Sequence, residues 1–180
     1  MGNKTYCYKY PHPAVTTDCV VFGFDGCGLK VLLIKRGREP YKDCWAFPGG
    51  FLNPDESAEE GAIRELKEET GFAAGYMEQL HTYTNPGRDP RERVISIVYI
   101  ALVEIGEVKG ADDAAEAEWF PIDDIPPLAF DHDEILRDAL ARLRELIQIY
   151  SIDHEPLPEK FTLSHVQNLF DTVIGKSFKI

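Results

Sequence analysis

Glu65, Glu68 and Glu69 sit within five consecutive positions of this 180-residue chain. On a helix, residues three and four apart share a face, so Glu65–Glu68 and Glu65–Glu69 would crowd three carboxylates onto about one turn. Like charges so placed repel. One reading of such a run is a solvated acidic face in which Arg64 pairs with Glu60 or Glu68, because surface ion pairs are common and weak. The other is a site for a hard divalent cation, since Mg²⁺ and Mn²⁺ prefer carboxylate oxygens and keep several waters. Two neighbouring features favour the cation. Pro48-Gly49-Gly50 lets the main chain approach closely before the helix and offers a carbonyl as a further ligand, and Glu56 on the connecting loop can bond back to Arg64. A cation held there neutralises phosphate oxygens and lowers the pKa of a bound water, which is what attack on a pyrophosphate bond requires.

The elements that must position these groups are legible in the pattern. Ser57 followed by Glu60 is a capping box and Gly71 a left-handed C-cap, which predicts a helix over Ala58 to Thr70. Val15 to Phe24 and Leu29 to Lys35 are β-rich stretches around Asp25-Gly26-Cys27-Gly28, a hairpin pattern. Arg36 to Asp43 reads as loop, Trp45-Ala46-Phe47 as a short strand, and Pro48-Gly49-Gly50 as a break. Strands are predicted over Gly75 to Thr84, Arg93 to Glu104 and Glu118 to Ile122, with loops at Asn85 to Arg91 and Gly110 to Glu116. Asp131 with Glu134 opens a second helix in which Ile135, Leu136, Ala139, Leu140, Leu143, Leu146 and Ile147 recur at helical spacing. The expected organisation is an N-terminal arm at 1–13, one α/β domain at 14–150, and at 151–180 a linker around His154–Pro158 followed by an amphipathic helix from Leu163 to Ile174.

Composition narrows the classes. The length allows one ordinary domain with an appendage, and 44% hydrophobic with 28% charged residues is a globular balance. A net charge of −12, from 19 Lys+Arg against 31 Asp+Glu, repels polyanions, so nucleic-acid binding by bulk charge is not expected. Cys7, Cys19, Cys27 and Cys44 form no C-x-x-C pair and no zinc spacing, which reads as free thiols in a reducing compartment. The first residues lack the apolar core of a signal peptide, and no apolar run approaches a membrane span. A cytoplasmic, soluble protein with no membrane partner is expected.

The segment from Gly50 to Phe72, GFLNPDESAEEGAIRELKEETGF, resembles the signature of the Nudix hydrolases. Gly50, Glu56, Arg64, Glu65, Leu66, Glu68, Glu69, Gly71 and Phe72 fill its specified positions. The resemblance implies an α/β fold, the Nudix-type α/β/α sandwich with a mixed β-sheet, here with an added C-terminal helical segment. It implies Mg²⁺ or Mn²⁺ bound by Glu65 and Glu69, with Glu68 assisting, the Gly49 carbonyl as a frequent further ligand and Arg64 orienting the carboxylates. It also implies hydrolysis of a nucleoside diphosphate linked to another moiety.

The base that activates water is placed differently within the family. Glu118, just before Trp119, is one candidate; Asp112, Asp113 and Glu116 on the preceding loop are others. Arg88, Arg91 and Arg93 could grip phosphates, or belong to a surface loop. Phe47, Tyr83 and Trp45 could stack on a base, or belong to the core. His132, at a helix start, reads as a cap or packing residue.

Within the family, TNPGRDPRERVISIVYIAL and LAFDHDEIL are similar to ADP-ribose-type proteins, although Pro86 and Pro90 flank the position past the box where ADP-ribose hydrolases often carry proline. The leading expectation is a homodimer that takes ADP-ribose, a small nucleotide, to AMP and ribose 5-phosphate. A second is suggested by the tail LPEKFTLSHVQNLFDTVIGKSFKI, which resembles the opening of the winged helix-turn-helix of ADP-ribose-sensing bacterial regulators. That segment is short for a whole winged domain and carries little net positive charge, so DNA is expected as a partner only if it belongs to a complete one. The intact box argues for retained hydrolysis. A third expectation is a hydrolase of modified nucleoside triphosphates.

Overall fold

The computed structural model describes residues 7–25, 28–111 and 114–153. In chain order these form β1 (Ala14–Phe24), β2 (Leu29–Arg36), β3 (Trp45–Ala46), β4 (Gly49–Phe51), α1 (Ala58–Thr70), β5 (Glu78–Tyr83), β6 (Val94–Glu104), β7 (Ala114–Pro121) and α2 (His132–Asp153). The expected hairpin, both expected helices and the long β6 are present. The C-terminal helix expected at Leu163 to Ile174 lies outside the described residues.

One mixed sheet has the order β3-β2-β1-β6-β5, with β4 on β1 and β7 on β2. Its centre is the parallel pair β1–β6, in unbroken register from Ala14 opposite Val94 to Phe24 opposite Glu104. A strand covered on both faces must be apolar throughout, which is why CVVFGF shows no polar alternation. Successive side chains of β1 serve opposite cores. Val20, Phe22 and Phe24 join Val31, Leu33, Val98 and Ile100 beneath Ile135, Ala139, Leu140 and Leu143 of α2. Cys19 and Val21 join Leu32, Tyr99 and Ala101 beneath Ala62 and Leu66 of α1. The result is a helix on each face of the sheet, the α/β/α sandwich the resemblance implies. Cys7, Cys19 and Cys44 are free thiols.

What opens a site in this sandwich is a split along β1. Its outer end, Phe22–Phe24, pairs with Leu29–Val31 of β2, whereas Thr16–Asp18 pairs with Gly49–Phe51 of β4. Beyond Val31, β2 parts from β1 and takes β3 at Ile34 and Lys35, while β7 runs along it from Lys30 to Arg36, so the sheet gapes between Thr16–Asp18 and Ile34–Arg36.

Several boundaries differ from the sequence expectation: β5 begins at Glu78 and not Gly75, and β3 ends at Ala46 and not Phe47. Gly49 and Gly50 are not a break but part of β4, because glycine lets this short strand lie against α1; a Cβ on Gly50 would run into the Glu65 carboxylate. β7 begins at Ala114, not Glu118, so Glu116 belongs to a strand and sits opposite Lys35. α2 continues past Tyr150 to Asp153.

Candidate active site

The α1 N-terminus is fixed as its sequence predicts. Ser57 Oγ accepts from the Glu60 amide, and the Glu60 carboxylate accepts from the Ser57 amide at 2.8 Å. Gly71 closes the other end in the left-handed region (φ 68°), its amide donating to the Lys67 carbonyl. Between these caps, Arg64 organises the acidic face. Its guanidinium donates to both oxygens of Glu56 (2.6 and 2.9 Å), to Glu65 (2.7 Å), to Glu68 (3.0 Å) and to the Phe51 carbonyl (3.2 Å). The expected Glu56–Arg64 brace is thus formed, and Arg64 pairs with Glu68 and not Glu60. The Arg64 bonds, helped by the Asn53 amide, hold Glu56 down to about 2, while Glu56 foremost holds Arg64 above its ordinary value.

Glu69 is in the opposite condition. It is 6% exposed, and the hydrogen bond from the Gly49 amide to its Oε2 (2.9 Å) is the one it is seen to receive. Burial pushes its pKa up to about 8, the nearby Glu65 and Asp18 charges adding to the rise. Burial likewise raises Glu65 despite its bond to Arg64. Opposite Asp18, Gly49 occupies a position whose amide and carbonyl turn away from β1, so the amide is free to meet Glu69.

Asp18 was not singled out by sequence. It is an 8%-exposed carboxylate on the central strand, hydrogen-bonded by the Ser96 hydroxyl and 3.9 Å from both Arg88 and His132. A lone acid inside the run AVTTDCVVF was its signal, because charges are rarely buried in a strand without a task. Arg36 and Phe130 were also missed; neither carries a local pattern.

These groups line one cleft of about 430 Å³, which the split in the sheet opens. Glu65, Glu68, Glu69 and Arg64 bound it on the α1 side, Gly49 to Phe51 and Asp18 along β4 and β1, and Arg36, Arg91, Phe130 and His132 on the remaining wall.

The other expected residues divide. Arg91 lines the cleft and is paired with Asp89 at 2.7 Å. Phe47 also lines it, but is 2% exposed, its ring stacked on His132 and its amide donating to His132 Nδ1 (3.0 Å), which leaves little face for a base. His132 therefore does more than cap a helix: it forms part of the cleft wall. Arg88 does not line the cleft: it is buried and donates from Nε and Nη2 to the two oxygens of Asp131 (2.9 and 2.8 Å). Tyr83 faces the α2 core, its hydroxyl donating to Asp138 at 2.8 Å. Arg93 bonds its neighbour's carbonyl, and Trp45 packs edge-on against Phe120. Glu118 stands outside the cleft. It is exposed, and its register opposite Leu33 puts it on the sheet face away from α1. Glu116 is tied to Lys35 at 3.1 Å, and Asp112 and Asp113 fall outside the described residues.

The donor set fits a hard divalent ion. Among the described residues no three acidic, histidine or cysteine side chains converge on a single point. Mg²⁺ does not need them to, since it is commonly held by one or two carboxylates and keeps its waters. The buried Glu69, next to two further carboxylates and with one amide as its visible partner, is short of positive charge, and a cation would supply it.

Comparison with known proteins agrees with this geometry. The profile described as NUDIX domain matches residues 12–143. The chain is 48% identical over 131 residues to an ADP-ribose pyrophosphatase of Methanocaldococcus jannaschii, covering 73% of this chain and 75% of that one. It is 34% identical over 175 residues to the ADPR responsive transcriptional repressor NtrR of Acinetobacter baylyi, covering 94% of this chain and 70% of that one. Among solved structures, the NUDIX domain of Shewanella oneidensis NrtR in complex with ADP ribose superposes with a TM-score of 0.71 at 34% identity, over 74% of this chain and 90% of that one.

Proposed function

Because the chain belongs to the Nudix family, we propose that its cleft hydrolyses the pyrophosphate bond of ADP-ribose, giving AMP and ribose 5-phosphate. The observation that carries the reading is the arrangement of the cleft, with Glu65, Glu68 and Glu69 grouped on one side and guanidinium groups on the other. A diphosphate flanked by two sugars is an extended anion that needs positive charge along its whole length. The identity with the archaeal ADP-ribose pyrophosphatase supports the choice of substrate.

Glu65 and Glu69 would hold Mg²⁺ or Mn²⁺, with Glu68 and the Gly49 carbonyl assisting. The ion, when bound, neutralises phosphate oxygens and makes water a better nucleophile. The chain's own contribution is positioning. Arg64 fixes Glu65 and Glu68 while Glu56 locks Arg64, and the Gly49 amide orients Glu69. In the reaction the water oxygen bonds to one phosphorus and the bridging P–O bond breaks, the water's proton passing to an acceptor on the cleft wall or to solvent. Glu118, exposed and off the cleft, is a poor candidate for that acceptor, whereas the carboxylates within the cleft are better placed. A homodimer in the cytoplasm is the expected setting, the first checked by light scattering.

A second reading is favoured by one observation: similarity to the A. baylyi repressor runs along 94% of the chain, past the end of the NUDIX match. In it the same cleft senses ADP-ribose. Mass-spectrometric product analysis of the full chain with ADP-ribose and Mg²⁺, with Glu69→Gln as control, tests both. Metal-dependent AMP and ribose 5-phosphate are expected. Tight binding without turnover would favour the sensor, and neither would remove ADP-ribose as the ligand.

A further inference from the structure

Four arginines line the cleft, Arg36, Arg38, Arg64 and Arg91, with Arg88 behind them near Asp18, and Arg64, Arg88 and Arg91 are neutralised within the protein. Arg64 has Glu56, Glu65 and Glu68, Arg88 has Asp131, and Arg91 has Asp89. Arg36 is different. Its guanidinium donates to the Pro40 carbonyl at 2.9 Å and lies 3.5 Å from that of Arg38, and among the described residues no carboxylate comes within ion-pair distance of it. It is partly buried, and burial together with the Arg91 charge depresses its pKa. A half-desolvated cation beside a second cation is an unfavourable arrangement, and an anion entering the cleft would relieve it.

One ring aligns both cations. The Arg36 guanidinium lies 4.8 Å from the centroid of Phe130, and that of Arg91 lies 5.9 Å from Phe130 and 5.1 Å from Phe51. Phe130 has φ 56°, in the left-handed region that a bulky side chain rarely occupies. Such a conformation is strained and persists where surrounding contacts over-determine it. Here Tyr41 meets the ring edge-on at 4.7 Å, and His132 lies 5.5 Å away. Phe130, two residues before α2, is thus held in a costly backbone state that puts an aromatic face under two guanidiniums, across the cleft from the α1 carboxylates.

We propose that Arg36 and Arg91, seated on Phe130, grip the substrate phosphate that lies away from the α1 carboxylates, with Arg36 the residue that selects a diphosphate over a monophosphate. Phe130 is a positioning residue that acts through them. This rests on the reading of the substrate as a nucleoside diphosphate derivative and assigns the second phosphate of that substrate to named groups.

The test is calorimetric titration of the full chain with ADP and with AMP, both without divalent metal, for the wild type, Arg36→Gln, Arg36→Lys, Phe130→Gly and the Arg36→Gln/Phe130→Gly pair. Glycine suits the left-handed backbone, so Phe130→Gly removes the ring without adding strain. Arg36→Gln should weaken ADP by about tenfold or more while changing AMP little. Arg36→Lys, which keeps the charge and loses the planar fork, should fall between and carries the test if Arg36→Gln does not fold. Phe130→Gly should weaken ADP by a smaller factor, and the double variant should lose less than the product of the two single losses, because part of the ring's effect passes through Arg36. With ADP-ribose and Mg²⁺, Arg36→Gln should raise KM about tenfold with kcat within about threefold. Unchanged ADP affinity in Arg36→Gln, or an equal loss for ADP and AMP, overturns the proposal. A wild type that binds ADP through Arg36 yet does not hydrolyse ADP-ribose would remove the proposed reaction and leave the grip standing.

Discussion

Arg64 takes both oxygens of Glu56, eight residues earlier, at 2.6 and 2.9 Å, and so ties the loop after β4 across the helix that bears the acidic groups. Because Glu56 is held down to about 2 in the folded chain against about 4.5 when free, its bond stabilises the fold fully above pH 4.5. That contribution is lost as the pH falls through about 2. Glu56→Gln should therefore melt below the wild type at pH 7, and thermal melts of the two proteins should converge between pH 4.5 and 2. A gap that stays constant over that range would mean that the Arg64 bond is not what lowers the carboxylate.

Glu69→Gln should lower turnover by about 10²- to 10³-fold, the several kcal/mol of transition-state stabilisation that a bound cation supplies. The metal-free variant should melt no lower than the wild type, because an amide in place of a buried carboxylate removes a desolvated charge and can still accept from the Gly49 amide. Steady-state kinetics and metal-free calorimetry separate the two effects. Full activity in this variant would end the assignment of Glu69 as a ligand.

Arg88 is buried and Asp131 half-buried, so removing the arginine leaves Asp131 and the buried Asp18 without their shared cation, which costs up to about 3–5 kcal/mol. Arg88→Met should accordingly lower the melting temperature by roughly 6–20 °C, at about 2–4 °C per kcal/mol for a chain of this size. If Arg88 instead gripped phosphate, the variant would keep its stability and lose substrate affinity.

Glu118→Gln should leave kcat within about twofold. A general base contributes 10²–10⁴-fold, so a loss of that size would return the role to Glu118. The pH–rate profile of the wild type and variant, measured together, decides between them.

Much of the acidic face was legible in sequence, because helix caps, helical spacing and close-approach glycines are local rules. Ser57, Glu60 and Gly71 fix α1 by their own chemistry, and the Glu56–Arg64 brace follows from the loop length between them. The opposite wall was not legible. Arg36 ends a strand and Phe130 precedes a helix, and their meeting depends on how β2 departs from β1 and where α2 lands. Arg88 shows the same limit from the other side. A basic residue on a Pro/Gly loop looks like a phosphate ligand until the fold brings Asp131 to it. Tyr83 lies against the α2 core and Glu118 outside the cleft, placements that sequence does not give, because strand alternation gives a side chain one of two faces and choosing the face needs the register.

The register of β1 with β6 joins strands that have more than a third of the chain between them, and β4 and α1 lie within that excursion. Contacts so distant in sequence make for slow folding, since chain entropy is given up before the ladder forms. The helix with its carboxylates is capped at both ends and can form early from local signals. Glu69, however, meets the Gly49 amide only when β4 has docked beside Thr16–Asp18. In a refolding experiment helical signal should therefore return before activity does, the catalytic arrangement being among the last things that the chain acquires.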